Sequence, residues 1–397
     1  MISLKNTKNP LYALSLLGFV LGLVLGFLVP GMFPPIAFLG TIYINLLKLI
    51  VIPLLMAEVC VGVYKASRSF AKRLARTVGL FVVMFVVSFL ITAALVAVVR
   101  PGEGTALLGE DWNGELAAVT LADFFLGILP SNIFSAMAAG SILPCILFAF
   151  ICGIAAGRVG AEKAMDVLDD LRRIFGRVLS YIMALTPLAV FVLIGNAVVS
   201  GGAALLGVGA RYILMAWLGC ALVTVLVMLL PVWLFAHVSP LTYLRHIGKV
   251  WLVSLSTCSS AATLPTTVRV CNEDFGVPAE ITDIVVPLGC TIHMCGGAVS
   301  FCLLGLFTMQ MAGIAVTFPL FLYMLAVATL MNMAAPGIPG GGIVLGATYL
   351  SILGAPTGFI GLYSGIYRLL DMAYTTVNVT GDVSANILLA AKERKTM

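Results

Sequence analysis

The run Asp371-Met372-Ala373-Tyr374-Thr375-Thr376-Val377-Asn378-Val379-Thr380-Gly381-Asp382 sets two carboxylates and several hydroxyls in an otherwise apolar C-terminal stretch. At ~100° per residue, Asp371, Thr375, Asn378 and Asp382 (i, i+4, i+7, i+11) fall on one narrow helical face. Each carboxylate at membrane depth costs ~2.5–3.5 kcal/mol on insertion scales, so the pair requires cations or hydrogen-bond donors as partners. The spacing therefore predicts a binding face.

That cost matters because the surrounding chain reads as a membrane protein. Of 397 residues, 61% are hydrophobic and only 10% charged, with a mean hydropathy of +1.13, against roughly 25% charged in soluble domains. A bilayer core of ~30 Å needs about 20 apolar residues per helix, and many such runs are present. Residues 11–30 lack a convincing cleavage site and are expected to be a retained first helix. The net charge of +5 is carried by loops and ends, which argues topology and not nucleic-acid binding. Nine cysteines, mostly inside apolar runs, read as reduced packing residues.

Charge placement predicts orientation. Lys5 and Lys8, then Lys65, Arg68, Lys72, Arg73 and Arg76, then Arg158, Lys163, Arg172, Arg173 and Arg177 mark one side. The positive-inside rule makes it cytoplasmic. Pro101–Asp123, with five carboxylates and no Lys or Arg, reads as an external loop. Arg245, His246 and Lys249, and then Lys392, Arg394 and Lys395, return inside, so six helices precede residue 237 and both termini are cytoplasmic.

Beyond residue 237 the pattern changes. Val250–Val270 is apolar at both ends but interrupted by Ser254, Ser256, Thr257, Cys258, Ser259, Ser260 and Pro265, and irregular backbone at this depth is tolerated only under protein or beside a water-filled cavity. A re-entrant hairpin is expected there. Residues 318–353 repeat the design around Ala335-Pro336-Gly337-Ile338-Pro339-Gly340-Gly341-Gly342. Each hairpin precedes a long helix interrupted by polar and glycine residues, at Gly289–Gly297 and at Asn378–Asp382. Such paired, Gly/Pro-broken segments point to an inverted-repeat transporter with its site at the midplane.

Ser259-Ser260-Ala261-Ala262-Thr263-Leu264-Pro265 resembles the first hairpin tip of the glutamate transporter family, the dicarboxylate/amino acid:cation symporters. Gly337–Gly342 resembles its second tip, Asn378-Val379-Thr380-Gly381-Asp382 its last helix, Leu46–Leu54 its second helix, and Leu129–Phe134 with Leu143-Pro144 its fourth. The resemblance covers nearly the whole chain. It implies an all-α integral membrane fold of eight transmembrane helices plus two re-entrant helical hairpins, arranged as inverted repeats in an elevator-type transporter. It further implies a homotrimer in the cell inner (plasma) membrane. Residues 1–74 (helices 1 and 2) and 101–207 (external loop, helices 4 and 5) would be scaffold. Residues 75–100 (helix 3) and 208–397 (helix 6 onward) would form a mobile transport domain, gated by the second hairpin. Glycine suits a gate because it permits the backbone rotations of opening.

Carried over by position, the resemblance implies a substrate site of Ser259, Ser260, Ile338, Gly340, Gly342, Asp371, Tyr374, Thr375 and Asn378. Asp371 would hold an α-amino group, a contact that a dicarboxylate without an amine cannot make. Ser259, Ser260 and the hairpin amides would hold the α-carboxylate. Tyr374 departs from acidic-substrate members, which carry an arginine there; a phenol supplies no bidentate charge. A neutral amino acid is expected, with tyrosine offering an apolar wall and one hydroxyl.

Coupling departs too. Sodium-driven relatives read Asn-Met-Asp-Gly-Thr where this chain has His293-Met294-Cys295-Gly296-Gly297, and the oxygen preference of hard cations makes imidazole and thiol poor replacements. In the third helix, Phe85, Ser88 and Phe89 align with the partner positions. The deepest sodium site is expected to be lost. A second, from Gly289, Asn378 and Asp382, is weakened at His293; a third, from carbonyls at Thr291, Met294, Asn332, Met333 and Ala335, is expected to persist. No cofactor other than Na⁺ or H⁺ as coupling ion is implied. The expected activity is import of an amino acid by cation symport with reduced or altered sodium coupling. The alternatives are a proton-coupled or uncoupled exchanger, with His293 near Asp382 as proton carrier, and a channel or receptor-like derivative. Cys290, His293 and Cys295 do not converge as zinc ligands, since the two thiols lie ~140° apart on a helix. No nucleophile, base and oxyanion constellation argues for an enzyme.

Overall fold

The computed structural model describes residues 10–67, 71–105, 129–201, 204–333 and 341–394, and among them every regular element is helical. Helices satisfy each backbone N–H and C=O within the segment, which a chain in hydrocarbon requires. By length and composition, Ala75–Val99, Gly207–Ala236 and Ala279–Met311 are long and apolar enough to cross a membrane. The number rises to five if two bent pairs, Leu17–Leu28 with Pro30–Tyr43 at 114° and Glu162–Met183 with Thr186–Val199 at 50°, each count as one span.

The N-terminal half supplies α1 (Pro10–Leu28), α2 (Phe33–Ser67), α3 (Ala71–Val99), α4 (Ile133–Ala138), α5 (Ile142–Val159), α6 (Glu162–Met183) and α7 (Thr186–Gly201). Gly18, Gly22 and Gly26 form a stripe on α1 that meets α7 so closely that a Cβ on Gly18 would lie 2.3 Å from the Pro187 carbonyl oxygen. Small residues at i, i+4 and i+8 let helix backbones approach where no hydrophobic effect drives them together. α2 packs on α5, α6 and α7. Glu58 on α2 meets the guanidinium of Arg172 at 3.3 Å, and Arg172 also donates to Asp169 at 2.7 Å, so this carboxylate belongs to an interhelical ion-pair network.

The second half contains α8 (Ala204–Val223), a π-helical segment at Thr224–Leu229, α9 (Leu230–Ala236), α10 (Pro240–Thr257), α11 (Ser260–Arg269), α12 (Ala279–Ile292), α13 (Cys295–Met311), α14 (Phe318–Asn332), α15 (Gly341–Ile352) and α16 (Ile360–Arg394). α10 and α11 pack together about a break at Cys258, whose φ of 50° reverses the chain. The first arm begins at Pro240, earlier than Val250, because the Ser239 hydroxyl accepts from the Thr242 amide and Pro240 opens the helix. α14 and α15 occupy the predicted second hairpin; residues 334–340, with Ala335, Ile338 and Gly340 among them, lie outside the described residues.

The two predicted interruptions part company. Between α12 and α13, His293 is extended and Met294 is also non-helical, with φ near −114° and −125°. The last helix runs unbroken through Asn378–Asp382. There, Thr376, Thr380 and Ser384 each donate to the carbonyl four residues back, at 2.7, 2.6 and 3.0 Å, so the hydroxyls are satisfied without opening the helix. α16 is too polar to count among the apolar spans, and its polar residues face protein: Asp371, Thr375, Asn378, Asp382, Ser384 and Asn386 are all buried.

Candidate functional site

Each polar side chain on the α16 face meets a different neighbour. Asp371 Oδ1 accepts from the Thr375 hydroxyl at 3.2 Å, one turn on. Asn378 Oδ1 accepts from the Gly296 amide at 2.8 Å, satisfying a donor at the first turn of α13. This approach demands glycine, since a Cβ at position 296 would lie 2.1 Å from the Tyr374 carbonyl oxygen. Asp382 Oδ1 lies 3.0 Å from His293 Nδ1, and it sits 2.3 Å from where a Cβ on Gly289 would stand.

These contacts divide the predicted residues into two groups. The first surrounds a cavity of about 50 Å³ where the α10–α11 tip, the α12–α13 break, α14, α15 and α16 converge. Ser260, Gly342, Asp371, Tyr374, Thr375 and Asn378 line it, together with Met294 and Asn332. Among the described residues, Asp371 is the only charged one in that lining. The Asn332 amide oxygen is buried without a hydrogen-bond donor among the described residues, and it stands 2.4 Å from a Cβ position on Gly297. An acceptor so placed suits an amine or a cation.

The second group lies beneath. His293 is 1% exposed, and its ring stacks on Phe81 of α3 at 4.2 Å and 5°. Its Nε2 is 3.1 Å from Cys295 Sγ. With the thiol donating to Nε2 and Nδ1–H donating to Asp382, a neutral imidazole bridges the two. Asp382 Oδ1 is thereby paired with the imidazole and Asn378 Oδ1 with the Gly296 amide, so one side-chain oxygen of each residue is engaged within the protein.

Several predicted residues stand apart. Ser259 caps α11, its hydroxyl accepting from the Ala262 amide at 3.2 Å, and does not line the cavity. Thr291 donates to the Leu288 carbonyl at 2.8 Å, and Met333 ends α14. Tyr374 contributes to the wall, but its hydroxyl lies by Tyr212 on α8 in a buried aromatic cluster with Tyr363. The Tyr374 hydroxyl is buried without a hydrogen-bond partner among the described residues. Arg368 donates to the Ser256 carbonyl at 2.8 Å, outside the cavity lining.

Phe81, Ser300, Phe301, Leu345 and Tyr367 were not identifiable from sequence. Phe81 is one turn before Phe85 on α3, and Ser88, one of the aligned positions, reaches the Cys295 thiol. The others are ordinary apolar or hydroxyl residues without a motif. No group of three or more His, Cys, Asp or Glu residues fit for a metal occurs among the described residues.

The sequence model of the sodium:dicarboxylate symporter family matches residues 11–392. The chain is 28% identical over 396 residues to a proton/sodium-glutamate symport protein of Bacillus caldotenax, covering 95% of this chain and 93% of that protein. It is 27% identical over 398 residues to a C4-dicarboxylate transport protein of Solibacter usitatus (strain Ellin6076), 96% and 92% covered. Against the proton/glutamate-aspartate symporter of Escherichia coli (strain K12) it is 28% identical over 429 residues, 99% and 95% covered. With a polar face buried among broken helices and a match over almost its full length, this chain belongs to the sodium:dicarboxylate symporter family, and is a multi-pass membrane secondary transporter, not an enzyme, moving a small molecule with a coupling cation.

Proposed function

We propose that the protein imports a neutral amino acid by an elevator mechanism, with cation symport in which sodium coupling is reduced or altered. The carrying observation is the cavity wall: among the described residues Asp371 is its single charged residue, and no lysine or arginine lines it. An α-amino group finds a carboxylate there, while the second carboxylate of an acidic substrate finds no cation. Such a group would be buried unpaired, at a cost of several kcal/mol. The relatives' names specify glutamate, aspartate and C4-dicarboxylates; the proposal is that this chain differs from them at Tyr374.

The cavity volume of about 50 Å³ is well below the roughly 300 Å³ of the smallest typical ligand pockets. Substrate entry therefore requires a wall to move, and the Gly-rich segment between α14 and α15 is the proposed gate. Packing of α1 on α7 and of α2 on α5 and α6 supports a scaffold of residues 1–74 and 101–207, with 75–100 and 208–397 as transport domain. Eight membrane-spanning helices, two re-entrant hairpins, a homotrimer and cytoplasmic termini complete the proposal.

For coupling, the contacts of Asp382 with His293 and of Asn378 with Gly296 favour weakened sodium binding at that set. The same His293–Asp382 contact favours, as a second reading, a proton-coupled carrier. Uptake of neutral and acidic amino acids into proteoliposomes, with sodium and pH gradients imposed separately, tests both. Concentrative uptake of neutral substrates under one gradient is expected. Exchange without concentration under either gradient refutes symport, and preferential uptake of glutamate or a C4-dicarboxylate refutes the substrate class.

A further inference from the structure

A second cavity, of about 600 Å³, lies apart from the transport site, between α3, the π-helical segment with α9, and the C-terminal end of α16. Its floor and sides are apolar, with Val83 and Val87 from α3, Leu226 and Phe235 from the α8–α9 region, and Leu388 from α16. Val83, Val87, Leu226 and Phe235 are 58, 39, 42 and 61% exposed, so the cavity opens at the outer surface of the helices. The π-helical turn at Thr224–Leu229 helps to shape it: Leu226 and Val227 line the cavity from within that segment. π-Turns of this kind recur at functional positions.

Among the described residues, the charged ones in the lining are Arg76, near the start of α3, and Lys392, near the end of α16. A flat lipid-facing surface would need neither a volume within the usual ligand range nor basic residues from two separate helices in its lining. Basic pockets between membrane helices, with an apolar floor, match an anionic head group and its acyl chains together. The geometry points to a binding site for an anionic phospholipid, its head group held by Arg76 and Lys392 and an acyl chain laid along Val83, Val87, Leu226 and Phe235.

The purified full-length protein in detergent, titrated with phosphatidylglycerol or with phosphatidylcholine of the same chains, tests this by native mass spectrometry and thermal melting. Phosphatidylglycerol is expected to bind more tightly and to raise Tm more. Arg76→Gln with Lys392→Gln should weaken its binding roughly 30-fold, from two lost basic contacts near the membrane surface, and level the two lipids. Val83→Trp, at an exposed position, should fill the groove and reduce binding of both. Arg245→Gln, at an exposed basic position outside the cavity, should change nothing. Equal binding of the two lipids by the wild type, a preference that survives the double substitution, or its equal loss in Arg245→Gln overturns the site. Stabilisation by free palmitate and not by phosphatidylglycerol assigns the groove to a single-chain amphiphile and overturns it as well.

Discussion

Asp371→Asn isolates charge from shape at the proposed amine anchor. Asp371 is 7% exposed, and one of its oxygens accepts from Thr375 at 3.2 Å. Asparagine keeps the volume and an oxygen for that hydroxyl, so Tm is expected to hold. What disappears is the counter-charge for a substrate ammonium held in a cavity with no other ionic group among the described residues of its wall. Removing one partner of a buried, hydrogen-bonded charge pair costs about 2–5 kcal/mol. A central value of about 3 kcal/mol corresponds to roughly a 150-fold rise in Kd. Isothermal titration of wild type and variant with alanine and serine measures this, with propionate as the analogue lacking the amine. The amino acids should lose affinity and propionate should lose none. Retention of amino acid affinity within about threefold, with the fold intact, refutes the assignment of Asp371 to the amine.

Tyr374→Arg should move uptake from neutral toward acidic amino acids by placing a guanidinium in the cavity wall, measured as the ratio of glutamate to alanine uptake in proteoliposomes. An unchanged ratio in a variant that folds removes position 374 from the determinants of selectivity. Gly296→Ala should drive a Cβ into the Tyr374 carbonyl, 2.1 Å away, and pull the Gly296 amide from Asn378. Overpacking of this kind costs ~1–3 kcal/mol or more, read as a lowered Tm together with reduced uptake; unchanged Tm and uptake would show that α13 and α16 do not meet so closely.

The broken elements were legible because backbone chemistry is local. Cys258-Ser259-Ser260 carries both the break and the cap of α11, and His293-Met294 falls inside the Gly289–Gly297 stretch that composition marked as interrupted. The polar run of α16 was read as a second interruption and is helix throughout, because hydroxyls bonded to carbonyls four residues back are locally satisfied whatever the surrounding medium. Periodicity placed Asp371, Thr375, Asn378 and Asp382 on one face correctly. It carries no information on what that face meets.

By itself, then, the amino-acid sequence determined an apolar helical chain, the family, and a polar face on the last helix, since hydropathy, helical period and motif order are properties of neighbouring residues. Only the tertiary structure decided that this face is divided. Asp371 and Thr375 open onto the cavity, Asn378 lines the cavity while bonded to Gly296, and Asp382 lies beneath against His293. Residues far apart in the chain, Gly289 and Phe81 among them, set those partners by close approach, and distances between such residues are fixed by packing across helices that no local pattern encodes.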